Sequence, residues 1–488
     1  MRRRVFELAR RGLVFTPEDF TQSMKNMKSR PTNRHVGDAE YISLEASIPP
    51  RPSTKFSEII STTLHESCSK SDYWISYRNR GMEGINELRD VTMKYYEDCG
   101  FDVSKSKPIF TQSIHNVLHL TLDRLMDRNA DQVLMTNPTF GLFFDAIQRR
   151  GFDVGLINLD QKTDFRLTPQ ILSDALANNP QAGLFIFINP DNPTGVSYSK
   201  EELDELAKVF VDHNLRRRAS GKKDLLVFSD EASHLVGPVE FDPKMHHSLG
   251  SCKGMNEFTI TTRSLSKTVA PSFGMCYAIG PNSVISQILD SRDDILAADF
   301  GPSYPVQYSA AQILSTHLNS FYEHIKESNK KYSSSMTKVE EFIQGTESAM
   351  SKVFGGDDSF CSLVTRPKGG LQCIVSFPKL LDCKVPDGHG AIKNDIDLAE
   401  YFIRTKKVGI LPGQALGFDP KAMVFRITIS KDPQERLEAG VLRIKDACRD
   451  FTPELLLSKD DIELRRPSAE KFIDKNKTKS QDDIGLRR

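Results

Sequence analysis

"LFIFINPDNPTG", residues 184–195, runs five apolar residues straight into a loop rich in asparagine and proline. A strand that is apolar at every position, not at every second one, is buried on both faces. Such strands belong to parallel sheets covered by helices. Working outward, "QVLMT" (132–136), "DVGLIN" (153–158), "LLVFSD" (225–230) and "FTITT" (258–262) are similar short runs. Helical patterns lie between them. "GLFFDAIQRRG" is closed by Gly151, and "SKEELDELAKVFVDHN" is opened by Ser199 with acids in its first turn. The order βαβα predicts an α/β domain built on a mostly parallel sheet.

Further along, residues 303–345 read as one long helix. A smaller α+β region follows, with "QCIVSF", "DIDLAEYFIRTK", "VGILPG" and "VFRITI". A chain of 488 residues exceeds one compact core and suggests two domains, or one large domain with a smaller companion. The expected division is an arm over 1–39, a small domain over 40–100 and 320–455, a large domain over 101–319, and a tail over 456–488. That tail is charged and poor in large apolar residues, so it is expected to be disordered.

Basic and acidic residues balance at 65 each, which gives no reason to expect nucleic acid. No apolar run approaches bilayer length. Eight cysteines without a CxxC pair suggest neither a zinc site nor a disulfide framework, and fit a reducing, cytoplasmic setting. The N-terminal "MRRRVFELARRGLVF" has presequence-like character and leaves organellar targeting open. With Glu7 interrupting it, an arm, mobile or packed on another subunit, is the preferred reading.

Ligands of open parallel sheets sit beyond the carboxyl ends of the strands. There the chain places "NPDNPTG" (189–195), "DEASH" from Asp230, and "RSLSK" ending at Lys267. A helix with Ile114, Leu118 and Leu122 on one face begins near Ser113. An amide-rich loop, an acid, a lysine and a helix N-terminus therefore converge on one rim.

This constellation resembles the fold-type I pyridoxal-phosphate enzymes, specifically the class I/II aminotransferases related to aspartate aminotransferase. The resemblance spans about residues 40–450. It rests on "NPDNPTG", "SLSK", "VGILPGQALGF" and "FRITIS", in that order. It implies an aspartate aminotransferase-like fold, pyridoxal 5'-phosphate as cofactor, amino acid and keto acid substrates, and a homodimer. It also implies that Lys267 forms the aldimine and shuttles the proton, and that Asp230 holds the pyridine nitrogen. Asn192 would bond the phenolate oxygen, and Phe140 would stack on the ring. Backbone groups at Ser113 and Ile114, with the hydroxyls of Ser264 and Ser266, would hold the phosphate. Arg426 would clamp the substrate α-carboxylate, a task that suits a planar fork better than an ammonium.

Four departures stand beside these matches. Ser113 and Ile114 replace small residues at the phosphate helix. Ser233 stands where the family has a tyrosine, and Cys276 where it has an arginine. Arg263 is one candidate replacement for that arginine, and Arg78 or Arg80 of a second subunit are others. Tyr77 lies in a segment two residues longer than the family pattern. Three readings follow: an aminotransferase; a lyase, cyclase, decarboxylase or oxidase using the same cofactor; and, ranked last, an inactive binding module.

Overall fold

The structure is a computed structural model, and it describes residues 15–28, 40–70, 81–243, 246–289, 301–356 and 358–458. In chain order, helix α1 (Pro17–Lys28) precedes strand β1 (Ile42–Ser43), then α2 (Thr54–Ser67) and α3 (Asn86–Asp98). Next come β2 (Ser106–Thr111), α4 (Ile114–Leu125), β3 (Gln132–Asn137), α5 (Gly141–Arg149) and β4 (Asp153–Asn158). After these lie α6 (Pro169–Asn178), β5 (Ala182–Ile188), α7 (Lys200–Ala219), β6 (Leu226–Asp230) and β7 (Thr259–Ser264). Strand β8 (Cys276–Pro281) is followed by α8 (Asn282–Leu289), α9 (Tyr304–Leu314) and α10 (Leu318–Phe354). The last part holds β9 (Ser362–Thr365), β10 (Gln372–Ser376), α11 (Asp395–Lys406), β11 (Val408–Gly409), β12 (Leu411–Pro412), β13 (Val424–Thr428) and α12 (Gln434–Arg449).

Seven strands form the large sheet in the order β2-β8-β7-β6-β5-β3-β4. Only β8 runs antiparallel to its neighbours. Both faces are covered, as the apolar runs require. Val133, Met135, Ile186, Phe228 and Ile260 join one core with α4 and α5. Leu134, Phe185, Phe187 and Val227 join another with α6 and α7. Ser199 caps α7 in a reciprocal capping box with Glu202, matching the start read from the sequence. The smaller sheet is antiparallel, β12-β13-β10-β9, and β1 pairs in parallel with β11 beside it.

Three expectations change. Residues 303–345 are not one helix: the chain breaks between α9 and α10, and α10 runs on to Phe354. No proline marks the break. Instead the Ser315 hydroxyl donates to the Ala311 carbonyl, so a side chain competes with the helical ladder.

The segment 40–100 does not stay together either. β1 lies with the smaller sheet, but α3 packs on α9 and β2. Tyr96 of α3 donates its hydroxyl to the Tyr277 carbonyl of β8 at 3.1 Å, fixing the helix to the large sheet.

The arm contributes a helix held by its own chain. Phe20 of α1 stacks on Phe144 of α5 with ring centroids 4.2 Å apart, and Thr21 donates to Gln148. The rest of the arm, the tail from residue 459, and Tyr77, Arg78 and Arg80 lie outside the described residues.

Candidate active site

The rim residues come from both parts of the fold. Asp230 ends β6, and Lys267 sits in the turn after β7. Asn192 lies in the loop after β5. That loop is shaped by its own side chains: the Asp191 carboxylate accepts from the Thr194 backbone and hydroxyl, and the Asp191 N–H donates to the Val196 carbonyl. Gly195 closes it at φ +71°, and a Cβ there would run into Pro367. Arg426 is central in β13, paired with Leu411 on one side and Ile374 on the other.

Arg426 joins the two sheets. Its Nη1 donates to Asn192 Oδ1 at 2.9 Å, and its Nη2 donates to the Glu45 carbonyl at 2.6 Å. Its Nε is buried and has no partner among the described residues. Two residues on from Glu45, the Ser47 carbonyl accepts from Lys267 Nζ at 2.7 Å.

The electrostatics suit proton transfer. Burial, helped by the Arg426 guanidinium and opposed by Asp230, holds the Lys267 amine down to about 8. Burial pushes Asp230 up to about 7; Glu231 adds to the rise, while the Ala232 N–H and Lys267 oppose it. Burial also lowers Arg426 to about 10, still charged near neutrality.

The expected phosphate end is mixed. Ser113 caps α4, its hydroxyl accepting from the Asn116 N–H, so the helix presents its N-terminus to the rim. Ile114 buries its side chain in the core and can contribute only backbone. Phe140 caps α5, with its ring 5.7 Å from His115 and 5.2 Å from Phe143. Ser264 does not match its expected role: its hydroxyl donates to the Met275 carbonyl at 3.2 Å and accepts from the Ser266 N–H. Ser266 is half-buried next to Lys267.

Arg263 is a clear correction. It is fully buried and points away from the phosphate end, with Nε donating to Glu231 Oε2 at 2.9 Å. The rings of Tyr95, Tyr96 and Phe101 surround its guanidinium. Burial works to raise Glu231, but Arg263, His246 and Ser248 outweigh it and hold the carboxyl below its ordinary value. His234 and His246 lie beside this carboxylate. A buried guanidinium already balances its charge, so the group reads as an ion pair and not as a metal centre. Cys276 is also fully buried, at the start of β8 opposite Thr111, and burial pushes its thiol up. It supplies no cation.

The sequence missed Glu231, Glu45 and Ser47. Glu231 sits inside "DEASH", where the neighbouring aspartate takes the attention. The other two act through backbone carbonyls, which carry no signature in side-chain type.

A family model for aminotransferase class I and II matches residues 78–444. The chain belongs to that family. Relatives of this aminotransferase include a bifunctional aspartate aminotransferase and glutamate/aspartate-prephenate aminotransferase from Petunia hybrida. It is 24% identical over 395 residues, covering 76% of this chain and 73% of the relative. Aromatic-amino-acid aminotransferase 2 of Thermococcus litoralis is 24% identical over 370 residues, 75% of this chain and 83% of the relative. Among solved structures, an aspartate aminotransferase from Rhizobium meliloti superposes with a TM-score of 0.70 at 18% identity, covering 88% of this chain and 96% of that one. At that identity the likeness carries the fold, which is aspartate aminotransferase-like.

The aminotransferase family works with pyridoxal phosphate, and the residues here fit it. The buried Arg426 Nε, without a partner among the described residues, the Lys267 amine held down to about 8 and the buried Asp230 carboxyl are the groups that such chemistry needs.

Proposed function

We propose that this aminotransferase exchanges the amino group of an α-amino acid with an α-keto acid, and that Lys267 is its proton carrier. The observation that carries the reading is the Asn192–Arg426–Lys267 arrangement: a forked cation with one donor unsatisfied, next to an amine close to neutrality. Pyridoxal phosphate, when bound, supplies the electron sink that makes the substrate α-proton removable.

The chain's own residues do the rest. Lys267 would anchor the cofactor and, once released, would take the proton from the substrate Cα as a general base and return it two atoms away, on the far side of the substrate nitrogen. Asp230 is positioned to hold a ring nitrogen protonated. Arg426 receives the substrate carboxylate, with Asn192 setting the plane of the guanidinium. The N-terminus of α4, with Ser113 and Ser266, receives the phosphate. A second copy of the chain supplies the missing cation there, so the working unit is a homodimer.

The test is an absorption spectrum of the cofactor-loaded protein before and after addition of amino acids, beside Lys267→Ala. Keto acid should form only in step with an amino acceptor, and only with Lys267. Release of ammonia without an acceptor would favour the lyase reading, for which Ser233 and Cys276 in place of a tyrosine and an arginine are the motive. Sedimentation at about the 55.0 kDa chain mass, instead of twice that, would overturn the dimer.

A further inference from the structure

The face of Arg263 that is turned from Glu231 meets a thiol. Arg263 Nη1 donates to Cys99 Sγ at 3.3 Å. Cys99 ends α3 and is partly exposed, whereas six of the eight cysteines are buried. The other exposed thiol, Cys68, lies at the end of α2, where it donates to the Leu64 carbonyl.

The second observation is Arg263 Nη2. It is on the same fork, fully buried, and without a hydrogen-bond partner among the described residues. The hydroxyls of the rings around it are engaged elsewhere and make no bond to it. The Tyr95 hydroxyl bonds His234, and the Tyr96 hydroxyl donates to the carbonyls of Thr261 and Tyr277. A buried donor of this kind is costly to leave unmade. An oxygen added to Cys99 Sγ would lie at the fork that already holds the sulfur.

We propose that Cys99 is a peroxide-reactive modification site whose oxidised sulfur is held by Arg263. In the reaction a sulfur lone pair attacks one oxygen of a hydroperoxide, and the O–O bond breaks. The sulfur loses two electrons and becomes a sulfenic acid. The peroxide is reduced, its departing oxygen taking the thiol proton to leave as water or an alcohol. The product oxygen accepts from the Arg263 fork, which is already balanced on its other edge by Glu231. Since Glu231 follows Asp230 and its charge helps raise that carboxyl, the modified site lies one ion pair behind the cofactor cradle.

The experiment treats the full-length protein with hydrogen peroxide in the presence of a cyclic diketone that captures sulfenic acids, and maps the adducts by peptide mass spectrometry. The Cys99 peptide should be labelled several-fold ahead of the Cys68 peptide, although Cys68 is the more exposed. Labelling of Cys68 equal to or ahead of Cys99 in the wild-type protein would overturn the proposal, without recourse to any variant. Arg263→Gln should collapse the preference while Cys99 stays solvent-reachable to a neutral alkylating agent. A preference that survives in a folded Arg263→Gln protein would also count against it. Cys99→Ser should remove the adduct and keep the basal activity.

Discussion

Asn192 Oδ1 accepts from Arg426 Nη1 across 234 residues of chain, tying the loop after a large-sheet strand to the centre of the smaller sheet. That bond, with the one from Nη2 to the Glu45 carbonyl, fixes the plane of the guanidinium. A carboxylate can meet the fork side-on only in that plane.

Asn192→Ala should therefore weaken substrate capture with little change to the fold. Hydrogen bonds to charged groups contribute about 1.5–3 kcal/mol, so kcat/KM should fall roughly 10- to 150-fold. Arg426→Lys should fall at least as far, because a single ammonium cannot reproduce the fork. Steady-state kinetics on both variants would check this, and an unchanged KM in Asn192→Ala would contradict the positioning role.

Lys267 should titrate near 8 in cofactor-free protein. Its acylation rate, followed by peptide mass spectrometry across pH, gives the midpoint. Arg426→Gln should move that midpoint upward, since burial and this guanidinium together hold it down while Asp230 opposes them. A wild-type midpoint at the ordinary 10.5 would show that Lys267 is better solvated than its surroundings imply.

Asp230 makes cofactor-free protein less stable as pH rises. Its carboxyl is raised in the folded state from 3.8 to about 7. The folded form thus binds the proton more tightly than the unfolded form, and stability falls between those values and levels off above. The full effect is on the order of 4 kcal/mol. Asp230→Asn should raise the cofactor-free Tm at pH 8 more than at pH 5, while weakening cofactor binding. Thermal melts at the two pH values test the sign.

Glu231→Gln removes the counter-charge of a fully buried guanidinium. Breaking a buried pair costs about 3–5 kcal/mol. Denaturant unfolding should show a loss of that size, and a smaller one for Glu231→Gln with Arg263→Met together.

The sequence showed the parallel strands because burial on both faces demands unbroken apolar runs. It showed Lys267, Asp230, Asn192 and Arg426 because each follows or lies in such a strand within a dense motif. β2 and β8 went unread: "SKPIFT", the edge strand, and "CYAIGP" beside it mix small and polar residues. Arg263 was misassigned for a physical reason. Nearness in sequence to Lys267 says nothing about which side of the sheet a β7 side chain takes, and Glu231 decides that. The break at Ser315 was hidden because a back-bonding serine leaves the apolar spacing intact.

The carbonyls of Glu45 and Ser47 already engage the two cations that a substrate and cofactor would use. Binding at this rim is then an exchange reaction rather than the filling of a void. A ligand gains only the difference between its own acceptors and those two backbone oxygens. The Leu44–Ile48 stretch thereby sets a threshold: weak or single-pronged acceptors gain nothing over the chain itself, and a ligand bearing both a carboxylate and a carbonyl-reactive partner for Lys267 is selected by having to outbid both contacts at once.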